Sequence, residues 1–227
     1  QFEALVPEDL ATLRRVLDDA DAAGVKGVLT LFSLPGARWR QHNGDQDDYR
    51  LWNEQAYRDQ ALSLWTELAA ELRGHPALVA YNPLNEPHPE RERGIAEAGY
   101  ERWHAEIEGT LADVNRFNCE VVDAIREGDP RTPIILDGGL HASPTGLHWM
   151  QPVRDPVVLY AFHFYDPWEY VTFRANEGRY RYPARMPDGW TPGTRAEALA
   201  SVAAWSGLHR IDRRRIIASE FGCDRRV

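Results

Sequence analysis

The sequence has little positive charge, little cysteine and no long apolar run. Its 227 residues include 26 Lys and Arg against 35 Asp and Glu, which gives a formal net charge of −9. Affinity for phosphate backbones comes largely from Lys and Arg, so this balance argues against a nucleic-acid-binding protein. Apolar runs such as 157–162 are far shorter than the roughly 18–20 residues that cross a bilayer, so no membrane span is predicted.

Metal-binding and disulfide patterns are also missing. The two cysteines, Cys119 and Cys223, lie far apart without a CxxC or Cys/His ligand spacing, so neither a disulfide scaffold nor a zinc site is predicted. Histidines such as His141 and His148 show no HExxH spacing, and we predict no metal and no cofactor. No basic segment followed by an apolar core precedes the first helix, so no signal peptide is predicted in this chain and its localisation is left open.

Strand and helix patterns alternate along the whole chain. Strand-length apolar runs occur at 25–32, 77–84, 133–137, 157–164 and 215–219, and helical patterns occur at 10–24, 53–74, 103–126 and 195–209. This alternation indicates parallel βα units, arranged either as an open doubly wound sheet or as a (β/α)8 barrel. No GxGxxG or GxxxxGK[ST] motif follows a strand, which favours the barrel. We therefore predict one α/β domain over 1–227, an incomplete TIM barrel.

Polar side chains stand where these predicted strands end. Asn85 and Glu86 follow the second strand, His163 and Tyr165 belong to the fourth, and Glu220 follows the fifth. The carboxyl ends of parallel barrel strands surround one mouth, so these residues are expected to converge. Two carboxylates that face each other across such a mouth are the catalytic groups that glycoside hydrolysis uses. The alternative for each glutamate is a helix N-cap or a first-turn acid.

His163 and Tyr165 are two residues apart in a strand, so both point to the same side, and Phe162 and Phe164 point to the other. If the phenylalanines pack under helices, the polar pair faces the barrel interior. There the phenol would donate a hydrogen bond to Glu220, and the imidazole would contact substrate or a carboxylate. A core His and Tyr satisfied by the backbone is the alternative.

Three motifs carry a resemblance to a known family. They are YNPLNEP at 81–87, AFHFYDP at 161–167 and SEFG at 219–222, and in this order and spacing they resemble glycoside hydrolase family 5, the cellulase-like retaining β-glycosidases of clan A. By the family's strand order the five visible strands are the third to the seventh, which implies a partial catalytic domain. Phe32 stands where many members carry a histidine.

The resemblance implies a role for each residue of the motifs. Glu86 would be the general acid/base, Asn85 would bind the sugar 2-hydroxyl, and Glu220 would be the nucleophile. His163 and Tyr165 would serve the nucleophile side. Retention of configuration would require the two carboxyl groups to lie about 5–5.5 Å apart. The partner would be an oligosaccharide or polysaccharide substrate.

Aromatic side chains in the mouth loops are the best candidates for sugar platforms, because pyranose faces stack on aromatic rings. Trp39 and Trp168 are the best placed, and Trp190 is a weaker candidate. Three tryptophans within helical patterns are expected to pack outside the barrel: Trp65, Trp103 and Trp205. Four further residues either line the mouth or are solvated: Arg38, Arg40, His42 and Asp137.

The leading hypothesis is retaining hydrolysis of β-glycosidic O-linkages in a glucan, a mannan or a related glycoside. An unclosed barrel leaves two sheet edges unpaired, so a non-catalytic carbohydrate-binding remnant is a second hypothesis. A transglycosylase is a third, because it uses the same carboxylates and differs in whether sugar or water takes the second step.

Overall fold

The computed structural model describes residues 3–181, 186 and 190–226. Among these residues, one sheet contains five strands: β1 Gly27–Thr30, β2 Leu78–Asn82, β3 Ile134–Asp137, β4 Val158–Phe164 and β5 Ile216–Phe221. Their spatial order is the sequence order, and all four neighbouring pairs are parallel. A doubly wound sheet reverses its strand order at a switch point. The sequential order is that of a partial TIM barrel, so the open-sheet alternative is wrong.

Helices connect these strands. The α-helices of the described residues are α1 Pro7–Ala22, α2 Gln55–Leu72, α3 Tyr100–Ile107, α4 Val114–Gly128, α5 Pro144–His148, α6 Trp168–Val171, α7 Phe173–Asn176 and α8 Pro192–His209. Short 3-10 segments lie at Arg40–His42, Arg50–Trp52, Pro89–Arg93, Glu97–Gly99 and Arg213–Arg215. None of the helices in the described ranges has the length and apolar character to cross a membrane.

The single helix predicted over 103–126 is wrong, because the chain forms α3 and α4 with a turn between them. Glu108 leaves the helical conformation with a ψ of 127°, and Gly109 follows with a φ of 72°, in the left-handed region that glycine adopts readily. Asp113 then caps α4, and its carboxylate accepts the Asn115 N–H at 2.8 Å. The predicted loop from 166 to 192 contains α6 and α7, and its residues 182–185 and 187–189 lie outside the described ranges.

The main core lies between the sheet and the helices. Trp65 and Trp205 are fully buried, and their indole N–H groups donate to the carbonyls of Pro83 and Met150. Trp65 and Trp205 belong to the main core, as predicted for helix residues that pack outside the barrel, and Trp103 is buried as well, although it does not belong to that cluster. A smaller apolar cluster of Ala80, Ile135 and Ala161 lies within the sheet itself. Ala161 and His163 are two residues apart in β4, so this cluster lies on the side that carries the polar mouth residues.

Candidate active site

The two glutamates of the motifs come from different parts of the sheet and meet at one mouth. Glu86 follows β2 in a left-handed backbone conformation, with a φ of 49°, and Glu220 lies in β5. One carboxylate oxygen of each, together with a ring nitrogen of His163, forms a group whose members all lie within 4.8 Å of one another. Neither glutamate is the N-cap of a helix in the described residues. The expected convergence is therefore present, and the capping alternative is not.

His163 lies between the two glutamates and is buried. Its Nδ1 lies 2.7 Å from Glu86 Oε1 and 3.6 Å from Glu220 Oε2. Burial disfavours the imidazolium, yet the hydrogen bond to Glu86 and the charges of Asp137 and Glu220 raise the pKa of His163 above its ordinary value. His163 thus contacts both carboxylates, with its hydrogen bond to Glu86 and Glu220 3.6 Å away, and its expected place on the nucleophile side stays a prediction.

Tyr165 holds the other glutamate. Its hydroxyl donates a hydrogen bond to Glu220 Oε2 at 3.0 Å, which is the contact that the strand periodicity predicts. Burial and the neighbouring Glu220 raise the pKa of Tyr165 to about 12, so the hydroxyl remains a donor at neutral pH. Phe162 belongs to the main core, and Phe164 lies against Trp190 with ring centroids 6.5 Å apart. The phenylalanines and the polar pair thus occupy opposite faces of β4, as predicted.

A cavity of about 540 Å³ opens beside this group. It is lined by Trp39 and Trp168 together with Glu86, His163 and Tyr165, and Trp168 is 58% exposed. Glu220 contacts this lining through Tyr165 and His163. The other lining residues are Gln41, Arg91, Leu140, His141, Ser143 and Asp166. Both predicted platform tryptophans therefore line one cavity with Glu86, while Glu220 adjoins that lining.

A second, smaller pocket shares Trp39 and Glu86 with the cavity. Asn85, which is buried, and Phe32, at the position where family members carry histidine, both line it, as does Arg38. Arg40 instead donates to the carbonyl of Asp45 within its own loop. The side chain of His42 lies outside what the structure describes.

Sequence reasoning missed a pair of stacked histidines, of which His141 lines the cavity and His88 lines the smaller pocket. The rings of His88 and His141 stack at 4.4 Å with an interplanar angle of 3°, and Trp39 lies 5.2 Å from His88. Burial lowers the pKa of His88, and burial beside that imidazole lowers the pKa of His141 to about 4, so both rings are neutral at neutral pH. His88 could have been predicted as a site residue, because it lies two residues after Glu86 in the sequence.

His141 reaches the cavity through a turn that the sequence does not reveal. Leu140, His141 and Ala142 have φ values of 53°, 54° and 57°, a left-handed conformation that residues other than glycine rarely adopt. The carbonyl of Ala142 accepts the backbone N–H of His163 at 2.7 Å. The turn therefore joins the histidine pair to the strand that carries His163.

The fold and the site together define a TIM-barrel scaffold with two facing carboxylates at its mouth. The family model for cellulase, glycosyl hydrolase family 5, matches residues 4–225. The chain belongs to this family.

Relatives among characterised proteins cover most of this chain but are themselves longer. A β-xylosidase of Phanerodontia chrysosporium is 30% identical over 196 residues, which are 82% of this chain and 37% of that protein. Endoglucanase C of Acetivibrio thermocellus is 24% identical over 169 residues, which are 74% of this chain and 43% of that protein. The chain thus spans about two fifths of the length of these relatives.

Solved structures show the same fold. Thermotoga maritima Cel5A in complex with mannotriose superposes with a TM-score of 0.68 at 18% identity, over 98% of this chain and 63% of that one. Pseudomonas stutzeri endoglucanase Cel5A gives a TM-score of 0.63 at 21% identity, over 96% of this chain and 58% of that one. The likeness confirms the prediction of an incomplete TIM barrel.

Proposed function

We propose that this chain carries the catalytic pair of a retaining β-glycosidase, with Glu86 as acid/base and Glu220 as nucleophile, in a partial catalytic domain over 1–227. The observation that supports this most is that one carboxylate oxygen of Glu86 and one of Glu220 lie within 4.8 Å of each other. Retaining enzymes hold their carboxyl groups about 5–5.5 Å apart, whereas inverting enzymes leave about 6.5–9.5 Å for a water molecule. The short separation favours retention.

The proposed reaction has two steps. First, Glu86 gives its proton to the glycosidic oxygen while the Glu220 carboxylate attacks the anomeric carbon, so the glycosidic bond breaks and a glycosyl ester forms on Glu220. Next, the Glu86 carboxylate takes a proton from water, whose oxygen attacks the same carbon and releases Glu220. Tyr165 orients Glu220 through its hydrogen bond. Asn85, adjacent to Glu86, is the proposed partner of the sugar 2-hydroxyl.

The substrate that fits this site is a neutral β-linked glycan such as a glucan, a mannan or a related glycoside. The cavity of about 540 Å³ lies within the usual range of ligand pockets, about 300–1,000 Å³. Trp39 and Trp168 supply apolar faces on which pyranose rings stack. Relatives named β-xylosidase and endoglucanase and the mannotriose complex of a structural neighbour agree with this class.

The proposal is tested with Glu86→Gln and Glu220→Gln in the full-length protein. Each should lower kcat on an aryl β-glycoside by about 10³-fold or more, because each removes a group that takes part in bond making. Glu108→Gln, at an exposed position after α3, is the matched control and should keep the wild-type rate. Wild-type turnover by either active-site variant would refute the proposed pair.

Chemical rescue separates the two roles. Azide added to Glu86→Ala should restore turnover and give a glycosyl azide of retained configuration, since the azide anion, unlike water, attacks the glycosyl ester without a general base. Oligosaccharide binding without release of reducing ends by the full-length protein would instead support the carbohydrate-binding hypothesis. Sugar transfer at high acceptor concentration would support transglycosylation.

A further inference from the structure

Asp137 is a buried carboxylate at the mouth that the proposed reaction does not use. It is the last residue of β3 and is 3% exposed. Its Oδ2 accepts the backbone N–H of Glu86 at 3.1 Å and lies 3.8 Å from Nε2 of His163. Its Oδ1 is buried without a hydrogen-bond partner in the described residues. A carboxylate buried with an unpaired oxygen costs stability, so the fold alone does not account for it.

The surroundings of Asp137 fix its position. Asn118 of α4 donates its side-chain N–H to the carbonyl of Asp137 at 3.2 Å. The next residue, Gly138, packs so closely that a Cβ there would lie 2.6 Å from the carbonyl oxygen of Gly146. Two helices therefore hold the residue that contacts Glu86, and Asp137 has little freedom to move away.

The hydrogen bond between Asp137 and the Glu86 N–H stabilises an unfavourable backbone conformation at Glu86. Glu86 has a φ of 49°, a conformation that L side chains rarely adopt and that persists only where neighbouring groups hold it. The hydrogen bond from Glu86 N–H to Asp137 holds the peptide that aims the Glu86 side chain at His163. Loss of this contact would let the acid/base move relative to the glycosidic oxygen.

Asp137 also influences which ring nitrogen of His163 carries a proton. The imidazole lies between two carboxylates, with Nδ1 toward Glu86 and Nε2 toward Asp137. At 3.8 Å this contact is electrostatic rather than a hydrogen bond, and the negative charge of Asp137 favours a proton on the nearer nitrogen, Nε2. The other groups that face His163 are Glu220 and Tyr165, and His141 lies close enough to interact with its charge.

We infer that Asp137 is a positioning residue for the acid/base, which it serves by holding the Glu86 backbone and by placing the His163 proton. This inference rests on the proposed function of Glu86. Its two parts are separable, because an asparagine at 137 can still accept the Glu86 N–H but carries no charge.

The test is Asp137→Asn in the full-length protein. We expect kcat on an aryl β-glycoside to fall about 10- to 100-fold with KM within about twofold, because the charge that places the His163 proton is lost while the Glu86 backbone hydrogen bond and the sugar contacts remain. The pH profile of kcat should shift. The His163 imidazole, followed by NMR with labelled histidine, should titrate at lower pH than in the wild type, because the negative charge beside it is gone.

The control is Asp129→Asn. Asp129 is a buried carboxylate too, but its partners are Thr132 and Tyr81, outside the mouth. This variant should change stability and leave the pH profile and the His163 titration unchanged. If Asp137→Asn does not fold, Asp137→Ser is measured in the same way.

Wild-type kcat, pH profile and His163 titration in the folded Asp137 variant would overturn the inference. Failure of the proposed function has a different signature, since Glu86→Gln and Glu220→Gln would then keep their activity. The His163 titration needs no turnover, so it decides the electrostatic part in either case.

Discussion

The hydroxyl of Tyr165 forms a hydrogen bond with the carboxylate of Glu220, the proposed nucleophile. The phenol donates at 3.0 Å to a carboxylate whose side chain is 32% exposed. A hydrogen bond to a charged group contributes about 1.5–3 kcal/mol. In the proposed mechanism this bond orients the attacking oxygen, so its loss should reduce the rate more than the stability.

Tyr165→Phe should lower kcat about 10- to 100-fold, because about 1.4 kcal/mol corresponds to each factor of ten. The measurement is steady-state hydrolysis of an aryl β-glycoside. Tyr160→Phe is the matched control: its hydroxyl accepts the Val153 N–H in the main core, so that variant should lower the melting temperature and keep kcat. Equal activity of Tyr165→Phe and wild type would remove Tyr165 from the mechanism.

Among the elements, the 3-10 segment Pro89–Arg93 and the left-handed turn at 140–142 are joined by one buried acid, Glu90. Glu90 is 2% exposed, and one of its carboxylate oxygens has no partner in the described residues. Burial raises the pKa of Glu90 to about 7, although the backbone N–H groups of Glu90 and Leu140 partly offset this. Ionisation of Glu90 therefore opposes folding.

The sign of the pH effect follows from the raised pKa. The stability linked to neutral Glu90 is full below its ordinary pKa of 4.5 and is lost as pH rises through about 7. Glu90→Gln should be more stable than wild type by about 2–3 kcal/mol at pH 8 and nearly equal to it at pH 4. Urea denaturation at both pH values measures this difference.

Glu92→Gln is the control for that experiment, because Glu92 lies on the same segment but is hydrogen-bonded by Asn53 and is part-exposed. The difference in unfolding free energy between Glu92→Gln and wild type should not grow from pH 4 to pH 8 as it does for Glu90→Gln. A stability difference for Glu90→Gln that is the same at pH 4 and pH 8 would show that Glu90 does not ionise as proposed.

Elements with strong periodicity were predictable, and those set by tertiary contacts were not. All five strands fall within or close to their predicted runs, and α2 and α8 match within a few residues. The break between α3 and α4 depends on one glycine and one capping aspartate, which the continuous apolar pattern hides.

At the site, the motifs indicated Glu86, Glu220 and Tyr165. The turn that brings in His141 depends on left-handed backbone at non-glycine residues, which propensity does not indicate.

For the whole molecule, the sheet of the described residues has two outer edges, β1 and β5, each with a partner on one side. Apolar side chains of both strands are exposed, among them Val28 and Ile217. Exposed sheet edges pair readily with other chains, and lysine on an edge opposes this. The 227-residue chain by itself should therefore self-associate in a concentration-dependent way.

Ile217→Lys should shift this 227-residue chain toward monomer in sedimentation velocity. Leu208→Lys is the matched control, since Leu208 is 72% exposed but lies on α8, away from both edges. If both variants reduce association equally, general surface hydrophobicity rather than edge pairing is the cause.

The approach of the two glutamates also depends on the strands that lie between them. Glu86 follows β2 and Glu220 lies in β5, so three strand spacings separate them. In a flat sheet that separation would be about 14 Å, yet carboxylate oxygens of the two residues lie within 4.8 Å. The two side chains therefore point toward each other across β3 and β4, and any change that moves β2 away from β5 would draw the two carboxylates apart without altering either residue.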